Sequence, residues 1–162
     1  LTVPLVTKAD GTKFGKTEGG NVWLDAARTS PYKFYQYWLN TSDQDAEKYI
    51  KIFTFLDQDT VETLISQHQE QPHLRILHRR IGQEATVLVH GTEAYENAVK
   101  ASEVLFGKST TEDLLTLDEQ TFLDVFEGVP QADISSADLQ EGLDIVLAFN
   151  EKTGFLKSNG EV

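Results

Sequence analysis

The chain has 162 residues, long enough for one domain or one and a half around a real core. It carries 26 acidic side chains against 14 basic ones, a formal net charge of -12, which argues against strong nucleic-acid binding by this chain alone, because phosphate contact needs basic side chains. Cysteine is absent, excluding disulfides and thiolate metal sites, and no run approaches the roughly twenty apolar residues of a membrane span.

In chain order, Val3, Leu5 and Val6 predict a short buried strand, closed by a turn at Ala9-Asp10-Gly11. Next comes Lys13-Phe14-Gly15-Lys16-Thr17, two lysines three apart in a glycine-hinged loop. Such a loop can move, and two ammonium groups on it can close over a polyphosphate and neutralise the charge that builds on its leaving group. Gly11 to Thr17 also looks like a phosphate-binding P-loop. That motif needs four residues between its glycines and a helix opening at Lys-Thr, whereas three intervene here and Glu18-Gly19-Gly20-Asn21 opposes a helix.

From Ser30 the texture changes to capped amphipathic helices. Ser30 caps a helix with Pro31 at its first position and Tyr35, Trp38 and Leu39 on one face. Ser42 or Asp43 caps the next, where Ala46, Tyr49, Ile50 and Phe53 repeat at helical spacing, and Asp57 caps a third with Val61, Leu64 and Ile65 inward. After Pro72, Leu74, Leu77, Ile81, Ala85 and Leu88 form a stripe ending at Gly91. Thr92 opens a helix carrying Tyr95, Ala98, Val99, Ser102, Leu105 and Phe106, closed by Gly107. Thr116 and Glu119 have capping-box spacing ahead of Phe122, Leu123 and Phe126, and a last helix from Ser135 or Ser136 is expected to bury Leu139, Leu143, Val146 and Leu147. No βαβ alternation follows Lys16, so the fold class is mainly α: a helical bundle behind a short N-terminal strand and loop.

Other residues read as structural. His68, His78, His90 and His73 show no metal-ligand spacing and are expected on helix surfaces or interfaces, with His90 at a helix C-terminus where a cation is favoured. The aromatics from Tyr32 to Trp38 read as core or interface ahead of a base-stacking platform. Arg75, Arg79 and Arg80 form a basic cluster; Arg79 and Arg80 read as a solvated face first and an RNA contact second. The carboxylates of the tail offer no isolated pair for general acid chemistry. Absence of methionine, an opening inside an apolar strand, and a capping-box pattern at Ser158-Asn159-Gly160-Glu161 followed by Val162 alone predict a piece of a longer polypeptide.

The run from Val3 to Thr17 resembles the mobile signature loop of bacterial tyrosyl-tRNA synthetases, within the class I synthetases that carry it as K-M-S-K-S. Val22-Trp23-Leu24-Asp25, Thr29 to Asn40 and Phe53-Thr54-Phe55-Leu56 extend the likeness, and Thr153 to Ser158 looks like the opening of an S4-type RNA-binding domain. The resemblance implies that residues 1–28 end the catalytic domain, 29–150 form the helical, anticodon-side domain, and 151–162 begin that truncated RNA-binding domain. It implies an ATP signature loop of Lys13, Phe14, Gly15, Lys16 and Thr17, with Lys13 and Lys16 catalytic and Lys16 the main ATP contact. The intact enzyme is then expected to use ATP with Mg, tyrosine and tRNA(Tyr) and to be a cytoplasmic homodimer, and no metal-ligating residue is expected in this chain. The fragment alone is expected to be monomeric, free of bound cofactor and inactive. The alternative is a stand-alone helical interaction module for protein or RNA with no nucleotide role.

Overall fold

The computed structural model describes residues 5–14, 16–17, 20–106, 114–140, 142–158 and 160. They fall into two units, residues 1–125 and 126–162, and the boundary lies inside the 29–150 stretch that the sequence groups together.

The first unit is helical. Its helices are α1 (Pro31–Leu39), α2 (Asp43–Phe53), α3 (Gln58–Glu70), α4 (Ile76–His90), α5 (Thr92–Phe106) and α6 (Glu119–Val125). Three starts are set by the caps that the sequence predicts: the side chains of Ser30, Ser42 and Asp57 accept from the backbone N–H groups of Lys33, Asp45 and Thr60. Pro31 at the first position of α1 loses no hydrogen bond, since that N–H would have no helical partner. A 3-10 turn at Pro72–Leu74 links α3 to α4. Gly91, at φ +89°, ends α4 in a conformation that disfavours any side chain, and α5 starts at the next residue.

Helix α4 is the hub, packed against α1, α2, α3 and α5. It buries Leu77, His78, Ile81, Gly82, Ala85 and Thr86, pairs of neighbours repeating every four residues, and so presents a stripe wide enough for partners on two sides. The sequence stripe is narrower and runs past it at both ends: Leu74 is 44% exposed and Leu88 62%. Gly82 lets α1 approach closely, because a Cβ built there would stand 2.7 Å from Tyr35 Cε2. Around α4 the core gathers Phe34, Trp38, Tyr49, Ile50 and Val61. Tyr32, Phe34, Tyr35 and Trp38 are all buried, so the aromatic run is core rather than an open stacking platform.

At the start of helix α6 the Asp118 carboxylate accepts from Thr121 N (2.9 Å) and Thr121 Oγ1 (2.7 Å), a cap within the Thr116–Glu119 stretch whose spacing the sequence singles out. An acidic cap one residue before the helix reaches the N3 amide directly. Lys33 of α1 pairs with Asp124 of α6 at 3.1 Å.

Among its described residues the second unit has the short helices α7 (Ser136–Gln140) and α8 (Ile145–Leu147) and a π turn at Ala148–Lys152. The single helix expected here is interrupted. Gly142 takes φ +84°, and Asp144 restarts the chain by accepting from Val146 N and Leu147 N. Leu139 is left 62% exposed instead of buried. The capping-box pattern from Ser158 involves residues 159, 161 and 162, outside the described residues, as does Gly107.

Candidate functional site

The predicted N-terminal strand is reduced, among the described residues, to an isolated antiparallel bridge between Thr7 and Lys13. Between them the chain folds back on itself. Lys8 N donates to Thr12 O (2.8 Å), Gly11 N to Lys8 O (3.0 Å), and Phe14 N to Val6 O (3.1 Å). The Asp10 carboxylate accepts from both the N–H and the hydroxyl of Thr12, at 2.8 and 2.6 Å, closing an Asx turn. Those two bonds hold the Asp10 carboxyl below its ordinary pKa. Gly11 sits at φ +83°, as the tight turn requires.

Beyond the bridge, β1 (Lys16–Thr17) pairs antiparallel with β2 (Gly20–Asn21), with Lys16 opposite Asn21 and Thr17 opposite Gly20. The backbone is extended at Lys16–Thr17, so no helix N-terminus is there to receive a phosphate in the P-loop manner. Gly15 lies outside the described residues.

Two anchors fix this loop to the helices. Asp45 of α2 is buried; its Oδ1 accepts from Ala9 N at 2.7 Å and its Oδ2 from Ser42 Oγ at 2.8 Å, so one carboxylate serves both the helix cap and the loop. Lys48, one turn further on, donates to Thr7 O at 2.7 Å. The second anchor is Phe14. Its ring stacks on Phe53 (centroids 4.7 Å apart) and meets Tyr49 (5.0 Å), Trp38 (5.9 Å) and Tyr37 (6.0 Å). Lys13, the preceding residue, is exposed. An inward aromatic beside an outward cation lets the core hold the backbone still while the ammonium stays free to reach an anion.

Next to Phe14 lies an apolar hollow of about 150 Å³, lined among others by Val22, Leu24, Phe34, Leu88 and Val89. Leu24 and Leu88, on its rim, are 68% and 62% exposed. Nearby, Arg28 stacks its guanidinium over Trp23 at 4.4 Å, and Thr29 Oγ1 accepts from Trp23 N, fixing the segment that leads into α1.

The basic cluster of the helices divides by role. Arg75, at φ +51°, sends Nη2 to Leu39 O and Thr41 O, so its charge satisfies carbonyls at the end of α1. Arg80 pairs with Glu84 at 2.8 Å. Arg79 is exposed and lines a groove of about 670 Å³ with Tyr35, Gln36, Tyr95, Ser102 and Glu103. Burial first, and then the neighbouring Tyr95, push the Tyr35 hydroxyl up to about 12, so it remains a donor at neutral pH.

Of the histidines expected on helix surfaces or interfaces, His73 is exposed, whereas two others lie between helices. His68 and His78 are fully buried and face one another, with ring centroids 5.2 Å apart. Both lean on Asp43, and one ligand atom from each of the three residues falls within a 4.8 Å cluster. Their separations in sequence, 43 to 68 to 78, resemble no familiar ligand spacing, which is why pattern reading passes over them. His90 does end α4, but its ring packs edge-on against Phe34 at 5.0 Å. Burial lowers its pKa and favours the neutral ring, opposite to the cation that the helix dipole would favour.

Comparison with known proteins bears on the same residues. The family model described as tRNA synthetases class I (W and Y) matches residues 1–107. The chain is 65% identical over 161 residues to the tyrosine–tRNA ligase of Flavobacterium johnsoniae, with 99% of this chain and 37% of that protein covered. The Porphyromonas gingivalis ligase of the same name is 59% identical over 162 residues, covering all of this chain and 38% of that protein. Among solved structures, C-terminally truncated mitochondrial tyrosyl-tRNA synthetases are similar. That of Coccidioides posadasii has a TM-score of 0.53 at 36% identity, over 62% of this chain and 26% of that one. That of Aspergillus nidulans has a TM-score of 0.51 at 28% identity, over 53% and 25%. The chain spans a little over a third of the length of these bacterial relatives. No helix among the described residues is long and apolar enough to cross a membrane.

Proposed function

The chain belongs to the class I tRNA synthetases (W and Y), and on that premise we propose that it is part of a tyrosine–tRNA ligase, joining tyrosine to tRNA(Tyr) at the expense of ATP. The observation that carries this reading is the anchored lysine loop, held to α2 by Asp45 and to the aromatic core by Phe14. On this reading residues 1–28 close the catalytic region, 29–150 form the helical anticodon-side domain and 151–162 open an RNA-binding domain.

In the reaction the tyrosine carboxylate attacks the α-phosphorus of ATP, the bond to the β-phosphate oxygen breaks, and pyrophosphate leaves with the negative charge. Lys16 and Lys13 act on that leaving group. As the bond to it lengthens, charge accumulates on the polyphosphate, and an ammonium that approaches only then stabilises the transition state more than the ground state. Thr17 supplies a hydroxyl at the place where the family signature has serine, and Mg accompanying ATP would carry part of the same charge. No proton transfer by the loop is needed, so the residues contribute position and charge. The tyrosine pocket and the remaining ATP contacts belong to parts of the ligase outside these residues, so the chain alone is inactive. The whole enzyme acts in the cytoplasm as a homodimer.

The test is amino-acid-dependent ATP–pyrophosphate exchange by the full-length protein. Exchange with tyrosine and none with tryptophan is expected, with no turnover by residues 1–162 alone. Exchange driven by tryptophan, or none with tyrosine, overturns the reading.

A further inference from the structure

We propose that Asp43, His68 and His78 form a binding site for a divalent transition ion of the zinc type, which staples α2, α3 and α4 together. Three elements converge there: Asp43 is the first residue of α2, His68 lies in the last turn of α3, and His78 lies in the first turn of α4. His68 Nε2 stands 3.0 Å from Asp43 Oδ1, and His78 Nε2 stands 3.6 Å from the same oxygen. Ligand atoms on a tetrahedral zinc ion with bonds of roughly 2.0–2.1 Å are roughly 3.3–3.4 Å apart, and the two observed separations straddle that value. Two imidazoles and one carboxylate leave a fourth position for water. Asp43, 57% exposed, provides the way in.

The chemistry of the donors favours the ion over a cation such as magnesium, since imidazole nitrogen suits zinc and its neighbours in the first transition row. Without an ion, His78 Nε2 donates to Thr41 O at 3.0 Å and His68 Nε2 to Asp43. Coordination through Nε2 moves each ring proton to Nδ1. Both Nδ1 atoms are buried and have no hydrogen-bond partner, so that shift breaks no bond on that side of either ring. Thr41 O keeps its bond from Arg75 Nη2. The three side chains come from three different helices, yet one ligand atom from each lies within 4.8 Å of the other two, the convergence that a shared ion requires.

This inference stands apart from the nucleotide reading. It is tested on the full-length protein, stripped with chelator and titrated with Co²⁺ as the spectroscopic probe, then with Zn²⁺. One equivalent of Co²⁺ should give the visible absorption of tetrahedral cobalt, lost when Zn²⁺ displaces it, and Zn²⁺ should raise the thermal midpoint. Asp43→Asn, a change at an exposed position, should weaken Co²⁺ binding by on the order of 100-fold, as should His68→Gln, whereas His73→Gln at an exposed histidine should leave it unchanged. If His68→Gln fails to fold, Asp43→Asn still decides. Absence of the cobalt bands in the unaltered protein, or bands that persist in Asp43→Asn, overturns the proposal.

Discussion

Replacing Phe14 with alanine tests how the lysine loop is held. The ring lies half-buried against Phe53, Tyr49, Trp38 and Tyr37, all within 6.0 Å between centroids. Truncating a fully buried phenylalanine costs about 3–5 kcal/mol, and scaling for partial burial leaves about 2 kcal/mol at this site. That corresponds to about a 30-fold shift in the docked-to-undocked ratio. The loss should fall on the loop rather than on the whole unit, because α4 packs directly against α1, α2, α3 and α5, and Phe14 belongs to none of these helices. Amide hydrogen exchange reads this directly: the N–H groups of Phe14 and Lys8, bonded to Val6 O and Thr12 O, should exchange about 30-fold faster in Phe14→Ala. Phe14→Leu, which keeps most of the volume, should recover most of the protection. Equal acceleration across α4, or unchanged exchange in the loop, would refute the anchoring argument.

Three further outcomes are expected. Asp45→Ala removes the acceptor for Ala9 N and Ser42 Oγ and should cost about 1–3 kcal/mol in urea unfolding, with loop amides affected first; a neutral result contradicts the shared-anchor role. Gly82→Ala gains up to about 1 kcal/mol of helix propensity, yet its Cβ would sit 2.7 Å from the buried Tyr35 ring; overpacking of about 1–3 kcal/mol should win, lowering the thermal midpoint, and a stabilised variant would show that α1 and α4 are not in close contact. His90 has a folded pKa lowered by burial, so the unfolded chain takes up its proton more readily. The stability it contributes is therefore present above its unfolded pKa of about 6.5 and is lost as pH falls below it. His90→Gln should flatten the fall in thermal midpoint between roughly pH 7 and 5, and an unchanged slope removes His90 from the account.

Local signals were legible and distant ones were not. Ser30, Ser42 and Asp57 announce three helix starts because a cap is chemistry within four residues, and Gly91 announces an end for the same reason. Leu77, Ile81 and Ala85 reveal the inward face of α4, but the period hides that His78, Gly82 and Thr86 are equally buried. Polar or small residues count as an outer face in any hydrophobicity pattern, and only a helix packed on two sides buries them. The lysine spacing and its glycines are visible in the sequence, whereas the hook from Asp45 to Ala9 spans 36 positions and leaves no periodic trace. Phe14 likewise reads as a loop residue until its neighbours Tyr49 and Phe53 are brought against it. The same blindness to long separations conceals the pairing of His68 with His78.

The central claim is that the lysines of this loop act on the departing pyrophosphate, and it is tested most directly by Lys16→Ala in the full-length protein. Single-turnover formation of tyrosyl-adenylate should slow by about 100-fold or more, with the dissociation constant for tyrosine changed by less than about threefold, since the interaction is made in the transition state. A variant that forms adenylate at the normal rate, or one that loses tyrosine binding in proportion to rate, would contradict it.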